Sequence, residues 1–294
     1  MKLKHPCNPS IAYININSIQ NKFKNLTEML DNNIDVLCFA ESKLDSSFPE
    51  SQFFLPGYRM PYRFDVSNHS GGLLLYVKET IPSKLLTKFN LPTEIQAIPI
   101  EINIRKTKWL IVALYRPERT NKMLFIDIIN NLLDYYCVTY DNLLIMGDFN
   151  MLASDMEVVN LINNHDLHSM IKVSTCFKST SGRCIDLLLT NKKHNFFNTQ
   201  TLETGFSDFH VMLYTMLKST YQKLPPKVIR YRSIKNICNE KFVIDLKANL
   251  IKGCIGDYDL FEKTFQQVLD NHAPYKTKIA RGNDKPFMNK QLRK

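Results

Sequence analysis

The sequence predicts an α/β fold, a four-layered α/β sandwich in which two packed mixed β-sheets are flanked by helices. Strand-like segments outnumber helical ones, and the helices are too few to supply the crossover that each strand of a doubly wound parallel sheet needs. Apolar residues make up 44% of the 294 residues, which is ordinary for a globular protein with a large core. A helical, basic C-terminal tail is predicted to follow the sandwich.

Strands are predicted where short apolar or alternating runs stop at Gly, Pro or polar residues. These runs are 11–17, 35–40, 71–77, 95–104, 108–115, 142–150, 184–190 and 211–217. Helical periodicity predicts helices in segments that lie mostly between or after these runs. The segments are 18–30, 122–137, 154–164, 242–251 and 259–269, of which the last two are separated by Gly253 and Gly256.

The net charge of +10 is distributed unevenly along the chain. Residues 1–218 contain 22 Lys and Arg against 21 Asp and Glu, whereas residues 219–294 contain 16 against 7. We therefore predict one domain at 10–218 and a basic helical linker at 219–294, with Pro225-Pro226 at the boundary. A neutral body with a basic tail is typical of a protein that meets a polyanion, although a solvated linker carries the same charge.

The cysteines and the hydropathy of the sequence indicate the cellular compartment in which the protein is expected. The seven cysteines are odd in number and scattered, with no Cys-x-x-Cys pair, which predicts reduced thiols instead of a disulfide framework or a zinc site. The charged N-terminus is followed by no apolar segment, and no apolar run reaches membrane-spanning length. We expect a soluble protein of the nucleus or cytoplasm that is not secreted and has no membrane partner. Its oligomeric state stays open.

The stretch from Asn142 to Asn150 is the first candidate for a functional site. An apolar run stops at Gly147 and then presents Asp148 and Asn150 two positions apart. Side chains at i and i+2 of an extended segment point the same way, so both polar groups can face one pocket. Gly147 leaves room for a close approach of backbone or ligand. Taken alone, an ordinary Gly-Asp turn explains the stretch equally well.

Other predicted strands also end in polar groups that a metal-assisted phosphodiester reaction uses. These groups are Asn15 and Asn17, Glu41, Tyr115 and Arg116, Asp186, and Asp208 with His210. Packing alone does not explain why successive strands each end in an acid, an amide, a phenol or an imidazole. Together they predict one polar pocket at the strand ends.

These ordered motifs resemble those of the endonuclease/exonuclease/phosphatase superfamily over about residues 10–218. The nearest resemblance within it is to the endonuclease domain of non-LTR, jockey-like retrotransposon polyproteins. That resemblance rests on Leu114-Tyr115-Arg116-Pro117, Thr175-Cys176-Phe177, the segment 184–191 and the segment 71–77. Two tail segments resemble the part that precedes a reverse transcriptase in such elements, namely Ala273-Pro274-Tyr275-Lys276 and Lys285-Pro286-Phe287-Met288. The chain contains no adjacent Asp-Asp pair, so we expect the polymerase domain to be absent.

The resemblance and the chemistry of the side chains predict a Mg²⁺ site, with Mn²⁺ as a substitute. Glu41 is the leading ligand, because a hard divalent ion prefers carboxylate oxygen. Asn15 and Asn17 supply neutral oxygens, and Asp208 completes the metal or histidine shell. Many relatives have an aspartate where Asn17 stands, so this contact is expected to be weaker or mediated by water.

Catalytic roles are predicted for five side chains: Asp148, Asn150, His210, Asp186 and Tyr115. The Asp148 carboxylate would orient or deprotonate the attacking water, or assist the leaving oxygen. Asn150 and Tyr115 would contact the phosphate. His210 would be a phosphate contact or general base, held in orientation by Asp186.

DNA contacts are predicted for Arg116, Arg183 and Arg63, whose guanidinium groups suit backbone phosphates. Ordinary surface arginines are the alternative.

One departure from the family pattern concerns His210. The family usually has Asp and His adjacent, whereas Phe209 separates Asp208 from His210 here. If the segment is extended, the i and i+2 side chains share a face and both reach the pocket. Alternatively, Phe209 takes the catalytic position and the protein is an inactive remnant. The pleat of a strand favours the first interpretation.

The sequence therefore predicts a metal-dependent phosphodiester hydrolase. As the resemblance implies, it would be a Mg²⁺-dependent endonuclease that nicks target DNA for retrotransposition, with element RNA as a further candidate partner of the basic tail. Two alternatives stay open. One is an abasic-site repair nuclease or a phosphatase of the same fold, and the other is an inactive nucleic-acid-binding remnant of a mobile element.

Overall fold

The structure, a computed structural model, describes residues 5–30, 34–92, 94–220, 227–250 and 258–280. The chain divides into two compact units, residues 1–222 and residues 223–294. The predicted Pro225-Pro226 boundary, Gly253, Gly256 and the basic segment 281–294 lie outside the described residues.

The strands of the first unit are β1 (Ser10–Asn15), β2 (Val36–Ala40), β3 (Tyr62–Phe64), β4 (Leu73–Val77), β5 (Ser83–Leu85), β6 (Gln96–Ile104), β7 (Thr107–Tyr115), β8 (Leu143–Asp148), β9 (His168–Ser169), β10 (Asp186–Thr190), β11 (Phe196–Leu202) and β12 (Met212–Leu217). Its α-helices are α1 (Phe23–Leu30), α2 (Lys122–Cys137) and α3 (Met156–Asn164). The predicted strands and helices of this unit are present, with shifted ends. Strands β3, β5, β9 and β11 are additional.

Two six-stranded sheets form the centre of this unit. The first has the order β11-β12-β1-β2-β4-β3 and the second the order β5-β6-β7-β8-β10-β9. Both are mixed, because β1 and β2 are parallel, as are β7 and β8, whereas their other pairs are antiparallel. One core cluster draws residues from both sheets, and two others lie between a sheet and its covering helices. The predicted four-layered α/β sandwich is confirmed.

Successive side chains of β7 pack alternately into two cores, so the sheet is buried on both faces. Trp109 and Ile111 join the core between the sheets, whereas Leu110 and Val112 pack with α2 on the other side. Successive side chains of a strand point to opposite faces, so a continuous apolar run serves two cores. Polar side chains are therefore confined mostly to the strand ends.

Strand register brings candidate residues of the second sheet into one row. Tyr115 pairs with Asp148 across the parallel β7–β8 ladder, and Asp186 pairs with Asp148 across the antiparallel β8–β10 ladder. In the first sheet, Asn15 pairs with Ala40, which immediately precedes Glu41. The backbone ladders thus place Asp148 at the centre of its row.

The second unit contains β13 (Lys227–Arg232), α4 (Asn239–Leu250), α5 (Tyr258–His272) and β14 (Tyr275–Ala280). The two helices were predicted, but the antiparallel β13–β14 ribbon was not. The Phe242 and Phe265 rings meet edge to face between the helices, with centroids 6.0 Å apart. Arg232 donates to the Ala273 carbonyl at 2.9 Å and pairs with Asp270, which fastens the ribbon to α5.

Among the described helices, none is both long enough and apolar enough to cross a membrane. The cysteines of the described residues are free thiols.

Candidate active site

Asn15, at the end of β1, joins the two sheets through its amide. Its Nδ2 donates to Glu41 Oε1 at 2.8 Å and to Asp148 Oδ2 at 3.0 Å. Glu41 follows β2 in the first sheet, whereas Asp148 ends β8 in the second. One buried amide therefore brings together two carboxylates that are distant in sequence.

Gly147 and Asn150 set the position of Asp148. A Cβ on Gly147 would lie 2.4 Å from the Leu114 carbonyl oxygen, so this point of the β7–β8 pair accepts only glycine. The Asn150 amide N–H donates to Asp148 Oδ1 at 2.8 Å, and Asn150 Nδ2 donates to the Arg116 carbonyl at 2.8 Å. One side-chain hydrogen of Asn150 is thus engaged by the protein.

The Asp148 carboxylate is buried near other ionisable groups. Burial raises its pKa most, followed by the Asp186 carboxylate, while His210 and the Asn15 hydrogen bond act in the opposite direction. The result is a pKa of about 7, above the ordinary 3.8. A carboxylate with such a pKa can exchange a proton near neutral pH.

His210 lies beside Asp186. Its Nδ1 is 2.8 Å from Asp186 Oδ2, and both side chains are buried. Burial alone would lower the pKa of His210, but the hydrogen bond and charge of Asp186 raise it above its usual value. The Thr175 hydroxyl accepts the backbone N–H groups of Ile185 and Asp186 at 3.2 and 3.0 Å, which fixes the start of β10.

The route by which His210 reaches this position differs from the prediction. Residues 205–209 form bends, not an extended strand, and the His210 N–H donates to Ser207 Oγ at 3.2 Å. His210 is buried, whereas Asp208 and Phe209 are exposed. The pleat argument was therefore wrong: a bend, and not a shared strand face, accommodates the additional residue.

Asp208 lies at the rim instead of beside His210. Its Oδ2 accepts from Asn17 Nδ2 at 3.5 Å. Asn17 Oδ1 in turn accepts from Lys43 Nζ at 2.6 Å, and Lys43 Nζ is 3.8 Å from Glu41 Oε2. The structure therefore brings Asn17 and Asp208 together at the opening of the pocket.

Tyr115 lies at the pocket wall. Burial raises the pKa of its phenol well above the usual value, and the neighbouring Glu41 and Asp148 carboxylates raise it further. Tyr115 therefore remains a neutral hydrogen-bond donor at any physiological pH.

The predicted DNA contact of Arg116 needs correction. Its side chain is only 3% exposed, and its guanidinium group donates to backbone carbonyls. The acceptors are Phe149 at 2.6 Å, Asn150 at 2.8 Å, Pro117 and Glu118 at 3.3 Å each, and Thr120. With its donors turned toward the protein, Arg116 supports the loops that carry Asn150.

Arg63 and Arg183 differ from each other in whether the protein engages their guanidinium groups. Arg63 forms a two-point pair with Asp65 at 3.1 and 2.7 Å, and also donates to the Phe48 and Asp45 carbonyls. The guanidinium group of Arg63 is thus engaged by the protein, and its phosphate contact stays a prediction. Arg183 is exposed in the loop before β10 and is open to a phosphate.

Sequence reasoning missed Lys22 and Lys43. Lys22 Nζ donates to the Ile16 carbonyl at 2.6 Å and to the Asn17 carbonyl at 3.3 Å. Burial lowers its pKa. Lys43 follows Glu41 at i+2, a spacing that could have identified it. Both lysines brace the turn that carries Asn17.

Five of the nine non-glycine residues with left-handed backbone in the described part of the chain lie in turns around the pocket. Asn17, Ser18, Glu41, Lys43 and Asn150 have φ values of 49°, 79°, 51°, 53° and 46°. Residues other than glycine enter this region at a cost of about 1–3 kcal/mol each, less for asparagine. Such strain is typical of sites whose geometry is fixed by their surroundings.

One group of side chains among the described residues fits a divalent cation. Asp148, Asp186 and His210 each offer a ligand atom within 4.8 Å of the others. Asp186 Oδ1 is buried without a hydrogen-bond partner among the described residues, as an oxygen intended for a cation would be. The predicted ligands Glu41 and Asn15 contact each other through the Asn15 amide nitrogen, whereas Mg²⁺ prefers oxygen.

Fold and pocket together define a class of α/β sandwich in which two facing sheets end in acids, amides and an imidazole. The family model described as the Endonuclease/Exonuclease/phosphatase family matches residues 12–208. The chain belongs to that family. None of the curated proteins compared with it matches its sequence.

Solved structures share the fold at low sequence identity. The endonuclease domain of TRAS1, a telomere-specific non-LTR retrotransposon, has a TM-score of 0.59 at 11% identity, covering 72% of this chain and 99% of that one. The AP endonuclease LMAP from Leishmania major has a TM-score of 0.59 at 12% identity, covering 71% and 88%. A variant of the 3′ phosphatase NExo from Neisseria, bound to product DNA hairpin, has a TM-score of 0.54 at 14% identity, covering 71% and 99%.

Proposed function

We propose that this protein is a divalent-metal-dependent endonuclease that nicks DNA. The observation that carries the proposal is the buried Asp148 carboxylate, held by Asn15 and Asn150 next to the His210–Asp186 pair. This constellation pairs a proton acceptor with an oriented imidazole in a family of nucleases and phosphatases.

The side chains divide the chemistry between them. Asp148 accepts the proton of the attacking water, and its raised pKa suits that exchange. His210, whose pKa the hydrogen bond and charge of Asp186 raise, donates the N–H of its other ring nitrogen to a phosphate oxygen. Tyr115 would exchange its hydrogen bond to Glu41 for one to the same phosphate. Asn150, with one amide hydrogen still available, adds a further donor.

Glu41 and Asn15 would hold the metal ion, Mg²⁺ or Mn²⁺, with Asn17 and Asp208 acting from the rim. When bound, such an ion offsets the negative charge that builds up on the phosphate and lowers the pKa of a bound water. The Asn15 side chain must then present its oxygen to the ion while its nitrogen keeps the Asp148 contact.

DNA is the proposed substrate for two reasons. The TRAS1 endonuclease, LMAP and NExo are all named for nuclease or DNA-end activities. Residues 219–294 carry 16 basic against 7 acidic residues, which favours a polyanion. A role in retrotransposition, with element RNA on the basic unit and a nuclear or cytoplasmic location, is part of the proposal.

A second candidate is an abasic-site nuclease, which the similarity to LMAP favours. The inactive-remnant hypothesis keeps Asn17 and the absent polymerase in its favour, but the separation of Asp208 from His210 supports it less, because His210 contacts Asp186 despite Phe209.

The test is plasmid nicking by the full chain. Wild-type protein with Mg²⁺ should nick supercoiled DNA, whereas Asp148→Asn or His210→Ala should each reduce the rate at least about 100-fold. Nicking that persists in excess chelator would rule out a metal-dependent mechanism. Preference for abasic over intact duplex would select the second candidate.

A further inference from the structure

Two exposed phenylalanines lie at the edge of the pocket. Phe177 is 51% exposed and Phe209 is 44% exposed. The Phe177 N–H donates to the Phe209 carbonyl at 2.8 Å, and the neighbouring pair, Cys176 and His210, forms a β-bridge. Cys176 and His210 are buried and form the inner side of this bridge, whereas the two exposed phenylalanines lie on its outer side.

The loop before β10 holds Phe177 in a defined position. The backbone N–H groups of Thr175 and Cys176 both donate to the Arg183 carbonyl at 2.9 Å, which closes the base of the loop. Gly182 has φ +62°, and a Cβ there would lie 3.3 Å from Phe177 Cε1. The edge of the aromatic ring thus rests on the glycine.

Cations flank these rings. Lys178 and Arg183 are both exposed on the same loop, and Lys178 is close enough to His210 to oppose the rise in its pKa. Exposed aromatic rings next to cations suit nucleic acid, since the rings stack on bases or enter base steps while the cations meet phosphates.

We infer that Phe177 and Phe209 contact nucleobases beside the scissile phosphate, while Lys178 and Arg183 contact the flanking phosphates. The inference rests on the proposed nuclease function and adds the surface that selects where the DNA is cut. It also gives Phe209 a role. The residue that separates Asp208 from His210 carries an aromatic ring to the substrate face and leaves the histidine in the pocket.

Cleavage of two substrates tests this surface. Phe177→Ala and Phe209→Ala should each lower kcat/KM on duplex DNA about tenfold and broaden the distribution of nick positions. Hydrolysis of bis(p-nitrophenyl) phosphate, which has no bases, should stay unchanged. Phe54→Ala, at 42% exposure outside this surface, is the matched control and should alter neither reaction. Equal losses on both substrates, or unchanged nick positions on DNA, would overturn the inference.

A binding experiment separates this inference from the proposed function. Wild-type protein in chelator should increase the fluorescence of a duplex that contains 2-aminopurine at the cut site, because the base becomes unstacked. The two alanine variants should not. If wild-type protein nicks nothing, the proposed function fails while this measurement still reports on the surface. A response with RNA but not with DNA would overturn the assignment to DNA.

Discussion

The Asp148 carboxylate accepts two hydrogen bonds and also lies close to a second carboxylate. Asn15 and Asn150 each donate to one of its oxygens, whereas the Asp186 carboxylate repels its charge. Charge at this position is therefore costly in the absence of a cation and useful in its presence. The same group links the stability of the protein to pH.

The pH dependence of stability has a definite sign. The folded-state pKa of Asp148 is about 7 against 3.8 ordinarily, so the unfolded chain releases this proton first. Its contribution to stability therefore falls as pH rises from about 4 to 7. In chelator, Asp148→Asn should gain stability relative to wild type between pH 5 and pH 8, by at least ~1 kcal/mol or about 2–4 °C in Tm.

Thermal unfolding at several pH values measures that difference. Asp134→Asn, at an exposed carboxylate, controls for the loss of one negative charge. A difference between Asp148→Asn and wild type that stays constant across this pH range would contradict the prediction.

Two conservative variants locate the metal ion. If Glu41 and Asn15 hold it, Glu41→Gln should raise the Mg²⁺ concentration for half-maximal nicking by about tenfold or more, since a carboxylate ligand becomes a neutral amide. Asp186→Asn should lower kcat with little change in that concentration, because it acts on His210. Calorimetric titration with Mn²⁺ compares the metal affinities of the two variants without measuring catalysis. The opposite pattern would put the ion among Asp148, Asp186 and His210.

At the scale of elements, Arg116 shows how loops after two strands are tied together. It follows β7, and its guanidinium group donates to carbonyls of its own loop and of the loop after β8. Backbone hydrogen bonds align the strands, but the Arg116 side chain holds together the loops that follow them.

Arg116 and Arg183 should respond to mutation in opposite ways. Arg116→Met leaves the buried Phe149 carbonyl and several partly buried carbonyls without a donor and should lower the free energy of unfolding by about 3 kcal/mol. Arg183→Ala should change it by less than about 0.5 kcal/mol, while the salt dependence of DNA binding falls by about one phosphate contact. Urea unfolding and binding at several salt concentrations measure the two effects. An unstable Arg183→Ala with a stable Arg116→Met would reverse the assignment.

The sequence could predict elements whose pattern is local. Helix α2 begins and ends at the predicted residues Lys122 and Cys137, because its apolar positions follow one face. The β13–β14 ribbon was not predictable in this way, since its partners lie more than 40 residues apart and are rich in Lys and Arg. Likewise, the pattern around Asp148 identified a pocket, but the burial of Arg116 depends on carbonyls that only the fold brings near.

At the scale of the whole molecule, the charge is divided between two units. The first is close to neutral and holds the pocket, whereas the second contains a ribbon with exposed Arg230, Tyr231 and Lys276. Nonspecific affinity for DNA should therefore come mainly from the second unit.

Comparison of residues 1–222 with the full chain tests this division. The shorter protein should keep its nicking activity at low salt but bind duplex DNA at least about tenfold more weakly at physiological salt. The slope of log affinity against log salt should also become shallower, because fewer counterions are released. Equal slopes for the two proteins would contradict the prediction.

The order of strands in the first sheet has a consequence for synthesis. Strand β1 lies between β2 and β12, and it pairs Ser10 with Met216. During synthesis β1 leaves the ribosome well before its partner β12, which lies some 200 residues later in the chain. Asn15 and Glu41 therefore meet His210 only when the domain is almost complete. Unfinished chains would carry the carboxylates of the pocket without its imidazole, so the full set of side chains can assemble only once His210 and β12 have been made.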